Sequence, residues 1–545
     1  MKKIPAVFIC LLIFIPSVSA QRQKPLANAN KAGLYARSIE QVLRLQEDEV
    51  DLATAALIVS ERWSDMVYGR QYLARLDEMA YEIRERMRRR KIRTSYRAIP
   101  LINAYLFDEL GFTSISEATD PNSLFLHTVL DEKQGYCLSL SILYLSLAER
   151  LDIPLYGVVV PGHFFVRYDN GIKRFNIETT SEGGNAPDDH YIKRFKVPLE
   201  NNNSIYLKNL NKIQTLGCFL NNLGNSYDDV GNEESALLAL ERAVEINPML
   251  SESRANLGNI YLQKDQISKA INEYKSALRI NSGDAKTHNN LGNAYLRKSE
   301  VLGPPHETGW LNYAVKEYHT SIRLDPNFPD AYKNLAVAYC KQGNFRQALA
   351  KIKHAIKMVP EDASCYSQLG NIYEQMGDYE RAITQYRKAL RIQPDLAEAY
   401  HGLGLCYNNV GSPGNEIWAY KKALEIKPDM LSALVNLGNV YFAQEKYTEA
   451  IRYYKKAAQL KPDEPMVHYN LGAAYSNSEN YEQAVDEYLI AVGINPGIGD
   501  AHYGLAFGYY QLKRYPQAWE HIKIAEKLGV EVSKDQLDAI KSRLR

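Results

Sequence analysis

The string Leu-Gly-x-x-Tyr recurs through the second part of this 545-residue chain, and its spacing leaves little choice in how that part folds. It stands at Leu223-Gly224 with Tyr227, Leu257-Gly258 with Tyr261, and Leu291-Gly292 with Tyr295. It returns at Leu369-Gly370, Leu403-Gly404, Leu437-Gly438 and Leu471-Gly472, with Tyr373, Tyr407, Tyr441 and Tyr475. Gly224, Gly258 and Gly292 are 34 residues apart, as are Gly370, Gly404, Gly438 and Gly472. Leu335-Ala336 with Tyr339 and Leu505-Ala506 with Tyr509 fill the remaining slots, giving nine repeats over 217–530. A fixed period of this length marks a unit that buries its apolar face only by stacking on its neighbours.

A second set of anchors runs in phase. Ala236, Ala270, Ala314, Ala348, Ala382, Ala450, Ala484 and Ala518 are each followed seven residues later by another small residue. Pro248, Pro326, Pro360, Pro394, Pro428, Pro462 and Pro496 close repeats, because proline cannot continue a helix. Small residues let two antiparallel helices approach, while Leu and Tyr fill the gap to the next pair. On these motifs the segment resembles the tetratricopeptide-repeat family. The resemblance implies an all-α superhelical solenoid whose concave surface binds a protein or an extended peptide. Three departures stand out. The second repeat ends in Ser282. The sixth has Glu416 at a small-residue position beside Gly411-Ser412-Pro413-Gly414, which predicts a looser helix pair. The third carries ten extra residues around Val301–Trp310, which predict a longer turn between its helices, either a plain surface loop or a partner contact through Trp310. Residues 531–545 read as a polar capping helix.

Asparagine precedes the Leu-Gly pair repeatedly, at Asn222, Asn256, Asn290, Asn334, Asn436 and Asn470. A second file follows three residues later, with Asn225, Asn259, Asn293, Asn371 and Asn439. Residues three apart share a helix face, and an amide both donates and accepts. Such files suit the backbone of an extended peptide; asparagine is equally a common residue of such helices. In this respect the array resembles the repeats of the O-linked N-acetylglucosamine transferase family, although no glycosyltransferase domain follows here.

The N-terminus reads as a secretory signal over 1–20. Lys2 and Lys3 precede the apolar run Ala6–Ile15, and Val18-Ser19-Ala20 offers a cleavage site. The expectation is an exported protein, periplasmic or extracellular, with no integral membrane span, since the run falls short of the roughly 20 residues a spanning helix needs. Export would favour paired cysteines, yet Cys137, Cys218, Cys340, Cys365 and Cys406 are odd in number, leaving at least one thiol free within a single chain. With 65 Lys plus Arg against 64 Asp plus Glu, nothing marks a nucleic-acid surface. The run Arg84–Arg93 reads as a solvated helix face. No spacing suggests a metal site, and no cofactor is expected.

Residues 21–95 form a helical segment, and residues 96–200 carry the candidate chemistry. Cys137 opens an apolar helical run that ends before Pro154. Leu155–Val160 reads as a strand, His163 starts another, and Asp169-Asn170-Gly171 turns the chain back towards Asn176 and Glu178. A helix N-terminus favours a thiolate, a histidine serves as base, and a neighbouring polar group fixes its tautomer. Asn122-Ser123-Leu124 and Pro161-Gly162-His163-Phe164 make the segment resemble the transglutaminase-like superfamily. The resemblance implies Cys137 as nucleophile, His163 as base and Glu178 in the orienting place normally held by aspartate; Asn176 is the other candidate orienter.

The reading is therefore multidomain: an α+β transglutaminase-like head followed by a repeat solenoid that holds a polypeptide. The head would act on amide bonds by hydrolysis or acyl transfer. The alternatives are a non-catalytic scaffold or a chaperone-like peptide holder of the cell envelope. Oligomeric state stays open.

Overall fold

The computed structural model describes residues 31–63, 69–116, 120–198, 205–304 and 306–544; the signal reading of 1–20 lies outside them. The chain divides into two compact units, Met1–Ala294 and Tyr295–Arg545.

The first unit opens with α1 (Ile39–Val42), α2 (Leu52–Trp63), α3 (Gly69–Arg89) and α4 (Ile99–Asn103). The basic end of α3 is partly spent inside the fold. Arg84 donates to the carbonyl of Arg150 at 2.6 Å, and Arg86 pairs with Glu82 and Glu109. Strand β1 (Thr113–Ser114) pairs in parallel with β2 (Gln134–Gly135) on either side of α5 (Leu126–Glu132). Then comes α6 (Cys137–Arg150), in which Leu138 through Ala148 are all buried, as a helix apolar on every side requires.

Three antiparallel strands follow in the order β3 (Leu155–Val160), β4 (His163–Asp169) and β5 (Arg174–Ile177). The β4–β5 turn closes as its sequence predicts. Oδ1 of Asn170 takes the amides of Ile172 and Lys173, and Gly171 sits at φ +79°. Arg167 lies opposite Asn176 in the register. Helix α7 (Asp188–Phe195) then covers the sheet with the buried Tyr191.

The repeats begin as α8 (Lys212–Asp229), α9 (Glu233–Ile246), α10 (Ser251–Gln263) and α11 (Ile267–Ile280), followed by α12 (Ala285–Leu302). The Leu-Gly glycine has a steric cause: a Cβ at Gly258 would fall 2.6 Å from the ring of Tyr274 on the partner helix. The same relation joins Gly370 to Tyr386 and Gly438 to Tyr454 in the second unit. That unit continues from α13 (Glu307–Leu324) through helix pairs ending at Gly499–Gln511 and Tyr515–Lys527, and Lys534–Ser542 closes it. Among the described residues no helix is long and apolar enough to cross a membrane.

Two expectations are corrected. The insert lengthens the helices far more than the turn, which gains a single residue: α12 and α13 have 18 residues each, against 13 for α10 and 14 for α11. No breaker interrupts the helix before Gly303-Pro304, and the added turns cover one another. Trp310 stacks on Tyr295 with centroids 5.6 Å apart, and Nζ of Lys298 lies 4.3 Å from the Trp310 centroid. Glu416 does not loosen its pair either. Helices Ala397–Asn409 and Pro413–Ile426 keep the ordinary lengths, and buried Glu416 accepts from Nδ2 of Asn408 at 3.0 Å.

Candidate functional site

Cys137 is the first residue of α6, with Tyr136 as its cap. The cap is firm because the Tyr136 amide donates to Oγ of Ser139 at 2.8 Å. Gly135 leaves room for this close turn, since a Cβ there would lie 2.9 Å from that same Oγ. The Cys137 side chain is partly exposed, at the end of the helix where the peptide dipoles favour negative charge.

His163 begins β4 and Glu178 directly follows β5, so the antiparallel pairing brings the two to one end of the sheet. Nε2 of His163 meets Oε2 of Glu178 at 2.7 Å. Both side chains are largely buried, at 15% and 14% exposure, which keeps water from screening the pair. Burial alone would lower the His163 pKa; hydrogen bonding to Cys137 and Glu178 outweighs it and pushes the imidazole up to about 9. With Nε2 held by Glu178, Nδ1 is the nitrogen left for the thiol. Burial acts to raise the Glu178 pKa, but the bonds from His163 and Thr180 leave it below the ordinary carboxylate range. The imidazole lies flat against Phe195, with centroids 4.9 Å apart and planes 2° from parallel.

Asn176 does not take the orienting place. It is buried on Arg167, whose Nε donates to its Oδ1 at 2.7 Å, while its Nδ2 donates to Ala186 and Asp188. The guanidinium of Arg167 needs these acceptors because it is fully buried, and Asn176 is used up in serving it. The upstream Asn122 and Ser123 both bond Asp120, forming a local turn.

Sequence reasoning missed the groups that hold this arrangement. Thr180 donates to Oε1 of Glu178 at 2.7 Å, and the Tyr191 hydroxyl donates to Oε2 at 3.3 Å. Ser141 donates to the Cys137 carbonyl, which Thr179 also approaches at 3.3 Å. The signal available was Glu178-Thr179-Thr180 itself, an acid followed two residues on by a hydroxyl, the spacing of a side-chain turn.

The first asparagine file is half-exposed; in the second, Asn225, Asn259 and Asn293 are half-exposed, while Asn371 and Asn439 are exposed. In the first unit Nδ2 of Asn256 donates to Asn221 at 3.0 Å, and Nδ2 of Asn290 donates to Asn259 at 2.9 Å. Asn222, Asn225 and Asn293 lie along the same helices, also half-exposed. In the second unit Asn334, Asn436 and Asn470 are half-exposed, and Asn436 bonds His401 at 3.2 Å. The second file has an internal duty the sequence did not reveal: Asn259, Asn371 and Asn439 each accept from a buried tyrosine fifteen residues later, Tyr274, Tyr386 and Tyr454. Among the described residues the five thiols Cys137, Cys218, Cys340, Cys365 and Cys406 are unpaired, and no group of three or more His, Cys, Asp or Glu is placed to hold a metal.

A helix that starts at a thiol, packed on an antiparallel sheet and continued by helix pairs of 34-residue period, defines a two-part class: a mixed α/β head joined to a helical-repeat array. The chain carries a domain of the transglutaminase-like superfamily, matched over residues 70–216, followed by multiple tetratricopeptide repeats, matched in segments between 219 and 498. A 188-residue stretch is 28% identical to a UPF0162 protein of Xylella fastidiosa strain Temecula1, covering 27% of this chain and 67% of that protein. A 129-residue stretch is 30% identical to a UPF0162 protein of Pseudomonas aeruginosa, covering 24% of this chain and 48% of that protein. F-box only protein 21 of Mus musculus shares 33% identity over 82 residues, 15% of this chain and 13% of that one. Among solved structures, a tetratricopeptide repeat protein from Parabacteroides merdae aligns with TM-score 0.39 and 18% identity over 47% of this chain and 98% of that chain. YrrB, described as a TPR protein with an unusual peptide-binding site, aligns with TM-score 0.32 and 23% identity over 35% of this chain and 97% of that chain.

Proposed function

We propose that this is an exported protein whose repeats, over 217–530, hold an extended polypeptide while the head, over 96–200, cleaves or transfers acyl groups at amide bonds through Cys137. The observation that carries the reading is the hydrogen-bonded imidazole–carboxylate pair of His163 and Glu178, 2.7 Å apart, with Cys137 as the further partner of the imidazole. A thiol at a helix N-terminus beside an imidazole is the arrangement that turns cysteine into a thiolate nucleophile.

The step balances with these groups alone. Sγ of the Cys137 thiolate bonds to the carbonyl carbon, the C–N bond breaks, and the leaving amine takes the proton held on His163. Water or a second amine then gives a proton to His163, attacks the thioester and releases Sγ. Glu178 holds the ring in one orientation and stabilises its charged form. The signal over 1–20 supports export, and the recurrence of Asn222, Asn225, Asn256, Asn259, Asn290, Asn293, Asn334, Asn436 and Asn470 along successive repeat helices supports peptide capture.

Intact-protein mass spectrometry after incubation with a peptide thioester tests the head. The expected result is one acyl group on the full chain and none on Cys137→Ser. Absence of any adduct on the unsubstituted chain would leave a non-catalytic scaffold as the reading.

A further inference from the structure

Glutamate reaches its carboxylate through one more rotatable bond than aspartate does, so it orients a neighbouring ring only if that bond is frozen. The turn after β5 supplies the restraint. The Glu178 amide donates to the Gly184 carbonyl at 2.7 Å, and the Glu178 carbonyl accepts from Ser181 and Gly183 at 3.1 and 2.9 Å. Glu182 and Gly183, at φ +52° and +80°, close the loop. Over this loop the Glu178 side chain folds back, and its Oε1 takes both Oγ1 and the amide of Thr180, at 2.7 and 3.3 Å. That leaves Oε2 for His163 at 2.7 Å, with the Tyr191 hydroxyl donating to the same oxygen at 3.3 Å.

The same turn grips the opposite side of the site. Thr179 is buried and faces away from Thr180, with Oγ1 at 2.9 Å from Oγ of Ser141 and 3.3 Å from the Cys137 carbonyl. Two adjacent threonines therefore bind one loop to the carboxylate and to the first turn of the thiol helix.

We propose that Thr180 is a positioning residue: by clamping Oε1 of Glu178 it aims Oε2 at Nε2 of His163 and so fixes the orientation and charge of the imidazole. Its consequence for catalysis rests on the thiol chemistry proposed above; the clamping of His163 does not.

The test reads His163 directly. Thr180→Val keeps the β-branched shape and removes the donor, while Thr180→Ser keeps the donor. Ring-nitrogen NMR of His163 in the full chain carrying Cys137→Ala isolates the Glu178 contribution. Thr180→Val is expected to lower the His163 pKa by about one unit, and Thr180→Ser to restore the parent titration. In the chain with Cys137 intact, Thr180→Val is expected to slow alkylation of that thiol about tenfold at neutral pH, again restored by serine. A His163 titration unchanged by Thr180→Val would overturn the proposal. Ordinary thiol reactivity of Cys137 in the unsubstituted chain would sink the catalytic reading alone, because the NMR titration still decides the role of Thr180.

Discussion

The Tyr274 hydroxyl donates to Oδ1 of Asn259 at 2.8 Å, crossing the gap that the absent Cβ of Gly258 leaves between α10 and α11. The ring of Tyr274 is fully buried, so its hydroxyl depends on this one acceptor. Asn259→Ala strands it and is expected to destabilise the repeat by about 1–3 kcal/mol. Asn256→Ala removes a half-exposed donor to Oδ1 of Asn221, a residue 7% exposed where Tyr274 is wholly buried, and should cost less. Urea unfolding of the two variants checks the order. Equal costs would mean that the tyrosine finds another acceptor.

The first file should act on binding instead. Replacing Asn222, Asn256, Asn290 and Asn334 by Ala together removes four half-exposed amides and leaves the Tyr274–Asn259 bond intact. At roughly 0.5–1.5 kcal/mol for each lost hydrogen bond, capture of an extended peptide should weaken at least tenfold while the helical circular dichroism stays unchanged. Fluorescence anisotropy with a labelled peptide reads the affinity, and no change would take this file out of the binding surface.

How far the sequence spoke depended on whether the information was local. The helix pairs were legible because Leu-Gly-x-x-Tyr and its small-residue echoes recur every 34 residues, and repetition averages out local noise. The insert was misread because a length difference does not say whether it lengthens a helix or a turn. Contacts such as Trp310 on Tyr295 decide that, and they exist only once both helices extend. At the head, residue types and order pointed to Cys137, His163 and an acid. The choice between Asn176 and Glu178 needed the buried Arg167, which claims Asn176 through a pairing nine residues away across the sheet. Thr180 went unread for a different reason: its role is to hold a side chain, and no chemistry of its own announces it.

The thiols should separate sharply in reactivity. Cys218, Cys340, Cys365 and Cys406 are buried among helices, and burial pushes their pKa values up, to about 11 for Cys340 and about 12 for Cys365 and Cys406. Cys137 is more accessible and lies beside His163. Iodoacetamide at pH 7 should therefore label Cys137 first, and His163→Ala should slow that labelling by about 10-fold or more. Peptide mapping by mass spectrometry reads each site separately. Labelling of all five at similar rates would argue that the imidazole does nothing for the thiol.

Glu416 offers a test of how the array tolerates an acid at a small-residue position. Burial raises its pKa above the ordinary 4.5, and the bond from Asn408 only partly opposes this. The sign follows from linkage: a carboxyl whose folded pKa exceeds its unfolded value adds stability below about 4.5 and loses that contribution as pH rises through the folded value. Glu416→Gln keeps an acceptor for Asn408 and cannot ionise. It should stabilise the repeats at pH 8 by an amount on the order of 1 kcal/mol, read as a higher unfolding midpoint, and the gain should disappear as the pH falls below 4.5. Thermal melts followed at the helical signal over this range decide the matter. A glutamine variant less stable than the parent at pH 8 would show that the ionised carboxylate is held by favourable contacts, and that this helix pair is built around the charge.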